Sequence, residues 1–248
     1  MDEGGRRTAV VTGASAGIGE ATAVRLAKEG FDVVLGARRR DRLEAIAAAC
    51  GGRALELDVA DAGSVKAFAQ ALGRVNVLVN NAGMAAGLAP IADLTDEEIE
   101  SMFQTNVAGL IRTTRALLPK LEASGNGHIV NVGSIAGFET YPGGGGYTST
   151  KHAVRAITQT LRKELLGKPI RVTEVNPGLV ETEFSLVRFG GDAEKAKKPY
   201  EGLTPLTAED IADAIAFVVT RPPHVNIDEI VIKPIAQATA MMIHREKR

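Results

Sequence analysis

The stretch Thr8-Ala9-Val10-Val11-Thr12-Gly13-Ala14-Ser15-Ala16-Gly17-Ile18-Gly19 decides the fold. Its first five residues are a short, β-branched apolar run, the pattern of a strand buried on both faces. Beyond the glycines, residues 18–28 place Ile18, Ala21, Val24 and Ala27 on one stripe of a helix. Strand, glycine-rich turn and helix in this order make a phosphate cradle. Gly13 allows the sharp turn, Ser15, Ala16 and Ile18 bring backbone N–H groups forward, and Gly17 and Gly19 permit close approach at the positive helix end. The spacing is G-x-x-x-G-x-G rather than G-x-G-x-x-G. Alone, the triplet also fits an ordinary tight turn; the flanking strand and helix favour the cradle.

Outward from this unit, apolar runs recur at residues 32–35, 54–58, 75–79, 128–132, 170–175 and 228–232. Helical stretches separate them. Thr95 and Glu98 form a capping box, Thr207 and Asp210 a near-capping pattern, and Pro119 is expected to bend or end its helix. Seven strands alternating with helices imply right-handed βαβ units and a doubly wound parallel sheet of α/β class in one domain, residues 1–248. Residues 182–206 are irregular and bounded by Pro177, Pro199 and Pro205. A linker has this composition, but an insertion inside an α/β domain is more often a lid.

Composition narrows the function. With 29 basic and 30 acidic side chains in 248 residues, the chain lacks the basic excess of a nucleic-acid or membrane-surface binder. No apolar run approaches a membrane span, and residues 1–7 lack the apolar stretch of a signal peptide. The one cysteine, Cys50, excludes an internal disulfide framework and is expected to be a small buried apolar residue in its alanine-rich helix. The four histidines show no metal-ligand spacing, so no metal is expected. Glycine is in excess, 27 residues, and most fall after predicted strands or at helix ends.

The end of the second strand indicates the cofactor. An NAD site needs a carboxylate there for the ribose diol, but Ala37 takes that place and Arg38, Arg39 and Arg40 follow. Arg38 and Arg39 suit a 2′-phosphate, which favours NADP; a solvated helix start is the other reading. Tyr147 and Lys151, four apart, share one helix face. A tyrosine titrates near ~10, and a nearby ammonium favours its phenolate. Ser134 follows the fifth strand on the ligand side of such a sheet. Asn106 sits inside a helix, where asparagine is disfavoured. Each has a structural explanation singly.

Together, the Gly13–Gly19 loop, Asp58, Asn80-Asn81-Ala82-Gly83, Asn106, Ser134, Tyr147-x-x-x-Lys151 and Asn176-Pro177-Gly178 occur in an order that resembles the short-chain dehydrogenase/reductase family over residues 6–236. The resemblance implies a Rossmann-type fold, with Tyr147 as general acid/base and Lys151 holding the ribose and lowering the tyrosine pKa. Ser134 would bond the substrate oxygen, and Asn106 would help order a relay water. Asp58 and Val59 would meet the adenine, Asn81, Ala82 and Gly83 would line the cofactor, and Pro177, Gly178, Val180 and Thr182 would contact its nicotinamide end. Ala16 departs from the basic residue of many NADP-binding relatives.

Residues 177–189, with Thr204-Pro205-Leu206 and Gln237, resemble the NADP-dependent 3-hydroxy acid dehydrogenase branch. That implies serine, allo-threonine or 3-hydroxypropionate-type substrates. Arg188 is the candidate for a substrate carboxylate, or else a surface or subunit contact. Gly143-Gly144-Gly145-Gly146 departs from the pattern: it either admits bulkier substrates, as in broad secondary-alcohol or carbonyl reductases, or gives a flexible approach to the cofactor. A silent NADP-sensing regulator is the reading outside enzymology, and the complete Asn106, Ser134, Tyr147, Lys151 set argues against it. The resemblance and the apolar stretch 236–243 imply a homo-oligomer, a tetramer before a dimer, in the cytoplasm.

Overall fold

Alternate residues of the central strands face opposite ways into two separate cores. Ala9, Val11, Val33, Leu35, Val77 and Val79 enter one, and Val10, Val34, Leu78, Ile129 and Val172 enter the other. This two-sided burial explains the nearly continuous apolar runs. The computed structural model describes residues 6–246. Residues 1–5, part of the stretch without a leader pattern, and residues 247–248 of the charged end lie outside the described residues.

The strands are β1 (Thr8–Thr12), β2 (Asp32–Ala37), β3 (Arg53–Glu56), β4 (Val77–Asn80), β5 (Gly127–Val132), β6 (Ile170–Pro177) and β7 (Glu229–Ile232). They form one parallel sheet in the order β3-β2-β1-β4-β5-β6-β7. The order reverses between β1 and β4, and the crevice at that switch point is the ligand position of such sheets. The doubly wound α/β expectation is met. The outer strands β3 and β7 have no buried residue, whereas the inner strands are buried except at Thr8 and Asp32.

The helices are α1 (Gly17–Lys28), α2 (Arg40–Cys50), α3 (Ala62–Gln70), α4 (Asp96–Phe103), α5 (Gly109–Ala123), α6 (Gly145–Glu164), α7 (Glu183–Arg188), α8 (Ala193–Lys197) and α9 (Ala208–Val219). Helices α1, α2 and α9 cover the first core, and α3, α5 and α6 the second. Both capping expectations hold: Thr95 with Glu98 and Thr207 with Asp210 close full capping boxes. Pro119 does not stop its helix, because α5 continues to Ala123 around it. Residues 182–206 are more regular than expected, carrying α7, α8 and a further turn at Lys198–Tyr200. Cys50 ends α2 half-buried rather than fully buried. No helix among the described residues is long and apolar enough to cross a membrane.

His128, in the inner strand β5, is 1% exposed. Its Nε2 pairs with the Thr173 hydroxyl at 2.8 Å, while Nδ1 has no partner among the described residues. Burial, then the charges of Arg171 and Arg7, push its pKa down to about 3. The neutral ring is therefore the folded form, whereas the unfolded ring titrates near ~6.5. The unfolded chain binds the extra proton, so this group's contribution is complete above the unfolded value and is lost as pH falls toward 3. His128→Gln is expected to flatten the loss of unfolding free energy between pH 6.5 and 4, by about 1–3 kcal/mol, read from urea titrations at each pH.

Candidate active site

The crevice is set by how closely four backbone segments meet. The Thr12 hydroxyl accepts the N–H groups of Asn81 and Ala82, each at 3.0 Å. Asn81 Nδ2 donates back to the carbonyls of Thr12 at 2.9 Å and Gly13 at 3.3 Å. A Cβ on Gly19 would lie 2.4 Å from the Gly13 carbonyl oxygen and 2.5 Å from Asn81 Nδ2, so only glycine fits. Gly13, Ala16, Gly17 and Ile18 wall the crevice together with Asn81, Ala82 and Gly83. The donor-rich turn at the start of α1 is thus held open to a ligand.

The wall continues through Arg39, Ser134, Tyr147, Lys151, Pro177, Gly178, Val180 and Thr182, so most of the sequence candidates converge. Arg39 Nε bonds the Ser15 hydroxyl at 3.0 Å. Arg38 is exposed and lies outside this wall. Asp58 and Val59 follow β3 and do not line the crevice either. Asp58 accepts the Ala60 N–H at 2.9 Å, and Val59 packs under Gly109.

Asn106 lies in a single π turn, Gln104–Ala108, between α4 and α5. Such turns recur at functional sites. Its side chain is already engaged: Oδ1 accepts from Met84 N at 2.8 Å, and Nδ2 donates to Met84 O at 2.8 Å and to the Thr150 hydroxyl at 3.0 Å. Both amide hydrogens are therefore used. Asn106 braces the chain after Gly83 against α6 and is not itself in the crevice wall.

Ser134 caps a short turn at the end of β5, and its N–H is held by Asn176 Oδ1 at 2.9 Å. Tyr147 hydrogen-bonds Ser134, yet burial, then the neighbouring Tyr141, raise its pKa well above the ordinary range; the Ser134 bond and the Arg188 charge oppose this. Lys151 is not what offsets the rise. Its ammonium donates to the Val132 carbonyl at 2.9 Å and lies 5.8 Å from the Tyr147 ring centre. Burial draws the lysine down to about 8, against the pull of Glu174.

Arg188 ends α7; it does not itself line the crevice, whereas Phe184 and Val187 of the same helix do. Its Nε donates to Gly87 O at 2.9 Å and its Nη2 to the Tyr141 hydroxyl at 3.2 Å, and its guanidinium carbon sits 5.6 Å from the Tyr147 ring centre. Nη1 makes no hydrogen bond among the described residues. Phe184, also on α7, packs on Tyr147 with ring centres 5.6 Å apart.

The glycine run has a packing reason instead of a pocket one. None of residues 143–146 lines the crevice. A Cβ on Gly143 would meet Leu88 O at 2.5 Å, on Gly144 the Tyr141 ring at 2.3 Å, on Gly145 the Ile91 side chain at 2.9 Å, and on Gly146 Met102 Cε at 2.4 Å. The run lets the start of α6, Tyr141 and the 88–91 loop close together, and so seats the tyrosine that holds Arg188.

Sequence reasoning missed Tyr141, Phe184 and Glu174. Glu174 is 2% exposed beneath Ser134, and one of its oxygens has no partner among the described residues. Burial, then Glu229, raise it to about 7, against Arg155, Lys151 and Arg162. A carboxylate within the apolar run of β6 was the available signal. No cluster of three or more His, Cys, Asp or Glu that could hold a metal occurs among the described residues.

Residues 7–188 match the model of the short chain dehydrogenase family, and the chain belongs to that family. An uncharacterized oxidoreductase of Mycobacterium tuberculosis (strain ATCC 25618 / H37Rv) is 60% identical over 95% of this chain and 94% of its own length. The NADP-dependent 3-hydroxy acid dehydrogenase of Salmonella typhi is 44% identical, covering 95% and 98%. Among solved structures, the closed form of serine dehydrogenase complexed with NADP+ superposes with a TM-score of 0.91 at 40% identity, covering 96% of this chain and all of that one.

Gly143 has φ +75° and faces backbone, whereas Gly146 faces the end of a flexible methionine. Gly143→Ala is expected to cost more than ~1–2 kcal/mol, the left-handed strain alone. Gly146→Ala should cost less, and chemical unfolding of the pair gives the comparison.

Proposed function

We infer that the protein is an NADP-dependent oxidoreductase interconverting the hydroxyl and carbonyl of short 3-hydroxy acids. The observation that carries this reading is the guanidinium of Arg188, 5.6 Å from the ring centre of Tyr147, which lines the crevice with Ser134 and Lys151: a hydroxyl-handling site with a cation close by. The crevice fits the dinucleotide on its own terms. Gly13, Ala16, Gly17 and Ile18 line the crevice at the start of α1 and offer backbone donors to a pyrophosphate, and Arg39 with Ser15 offers donors to a 2′-phosphate.

When bound, the nicotinamide supplies or accepts the hydride at the substrate carbon. The protein handles the remaining atoms. In reduction, Ser134 donates to the carbonyl oxygen and Tyr147, kept protonated by burial, gives its proton to that oxygen as charge develops. In oxidation Tyr147 takes the hydroxyl proton. Lys151, anchored on Val132, holds the ribose and supplies positive charge near the phenol. Asn106 is a positioning residue, acting through the Met84 backbone it braces. Arg188 pairs with the substrate carboxylate through its remaining donors, on the side of Tyr147 where its guanidinium lies. Phe184 and the residue 182–206 lid shield the site from water, which strengthens these charges.

Exposed Ile235, Met241 and Met242 support assembly with further copies of the chain, a tetramer before a dimer. We place the enzyme in the cytoplasm, in keeping with its single free cysteine.

Tyr147→Phe is expected to remove measurable turnover while leaving NADP+ binding intact; retained turnover would overturn the acid/base assignment. Because the phenol must lose its proton before it can act as base, and burial holds its pKa above the ordinary range, kcat/KM for oxidation should still be rising at pH 10, whereas that for reduction should stay level from pH 7 to 10. Arg188→Ala should raise KM for serine and 3-hydroxyisobutyrate about 10–100-fold, the range of a lost charge-assisted pair, with little change for a neutral secondary alcohol. Equal losses on acids and neutral alcohols would exclude the carboxylate contact.

A further inference from the structure

Glu183 opens α7, directly after the capping Thr182, and it reaches out of the lid to the opposite wall of the crevice. Its Oε2 pairs with Arg39 Nη1 at 2.9 Å and its Oε1 with Arg42 Nη1 at 2.7 Å. Arg39 uses its Nε on the Ser15 hydroxyl at the same time. One carboxylate therefore bridges two guanidinium groups beside a hydroxyl that belongs to the phosphate loop. Hydrogen bonds from both arginines hold that carboxylate below the usual range.

The chemistry of this corner is that of an oxyanion site already filled by an oxyanion of the protein. Two cations facing one carboxylate leave an excess positive charge, which a phosphate dianion would neutralise more fully. The ion pairs are also weak enough to exchange: both partners are 41–51% exposed, and exposed pairs are worth about 0–1 kcal/mol each. Multiple charge-assisted bonds to a phosphate exceed that.

We propose that Glu183 competes with the cofactor's 2′-phosphate for Arg39, so that phosphate binding releases the lid from α2. The carboxylate is an internal stand-in for the phosphate, and the lid segment that carries Phe184 and Arg188 is tethered through it to the cofactor-selecting arginines. A cofactor without the 2′-phosphate leaves the tether in place. Discrimination between the two nicotinamide dinucleotides thus resides partly in the lid as well as in Arg39. This rests on the assignment of Arg39 to the 2′-phosphate, made above.

The test uses ligands that carry the phosphate but no nicotinamide. Calorimetric titration with 2′,5′-ADP and with 5′-AMP, at fixed ionic strength, compares the wild type with Glu183→Gln, Glu183→Asp and Arg39→Ala. Glu183→Gln is expected to bind 2′,5′-ADP about 3–10-fold more tightly, with 5′-AMP unchanged; Glu183→Asp should shift the same way by less. Unchanged 5′-AMP binding also certifies that the variants are folded. In the wild type, 2′,5′-ADP but not 5′-AMP should alter the rate of tryptic cleavage at Lys195 and Lys197 in the lid, and Glu183→Gln should have lost that response. Equal or weaker 2′,5′-ADP binding in both Glu183 variants would overturn the proposal, showing that the carboxylate orients the arginines instead. Identical affinity of Arg39→Ala for the two nucleotides is expected. An Arg39→Ala protein that still prefers 2′,5′-ADP as strongly as the wild type would overturn the assignment of Arg39 itself, whatever Glu183 does.

Discussion

The pinning of the β4 end to the β1 end carries the rest of the structure. Thr12 accepts two N–H groups from Asn81 and Ala82, and Asn81 returns its amide to Thr12 and Gly13. These bonds hold the switch point of the sheet at a fixed opening. Without a Cβ at Gly19 the first turn of α1 can press against them. Everything that borders the crevice is referenced to this junction: Gly83 and Met84, then Asn106, and through Thr150 the helix that presents Tyr147 and Lys151.

Polar groups buried in this protein are arranged with unequal completeness, and the incompleteness is confined to a few places. Asn80, Asn131, Thr114 and Thr158 bond one another behind the sheet end, the usual requirement for polar groups inside a core. Asn80 Oδ1 nevertheless has no partner among the described residues, as is true of one atom each of Thr22, His128, Arg171 and Glu174. Glu174 lies beneath the Ser134–Lys151 pair, where burial and the neighbouring charges set its ionisation against theirs. The region under the catalytic candidates is therefore electrostatically coupled.

The segment 182–206 joins both sides of the crevice. Its base is closed by the Val180–Leu206 bridge, and Tyr200 ties Ser185 to Val180 across it. One end of α7 meets the arginines beside the phosphate loop, and the other meets Tyr141 and Gly87. A helix of six residues thereby joins two distant parts of the chain at once. Its placement depends on Tyr141 lying flat over Gly144, a contact that no larger residue at 144 permits.

By itself, the sequence determined the alternation of strand and helix, the glycine cradle, both capping boxes and the residues that gather at the sheet end. These are local matters: period-two burial, side-chain caps and turns that only glycine makes record themselves in consecutive residues. Tertiary structure alone decided the roles of the glycine run, Tyr141, Glu174 and Glu183. Their partners lie far along the chain, Leu88 and Met102 for the glycines, Arg188 for Tyr141, Arg39 and Arg42 for Glu183. The same holds for Pro119, within a helix that continues past it, and for Asn106, whose bonds run to Met84 and Thr150. Local sequence specifies which conformations a segment can adopt; what a side chain does there is set by which distant groups the fold brings within bonding reach.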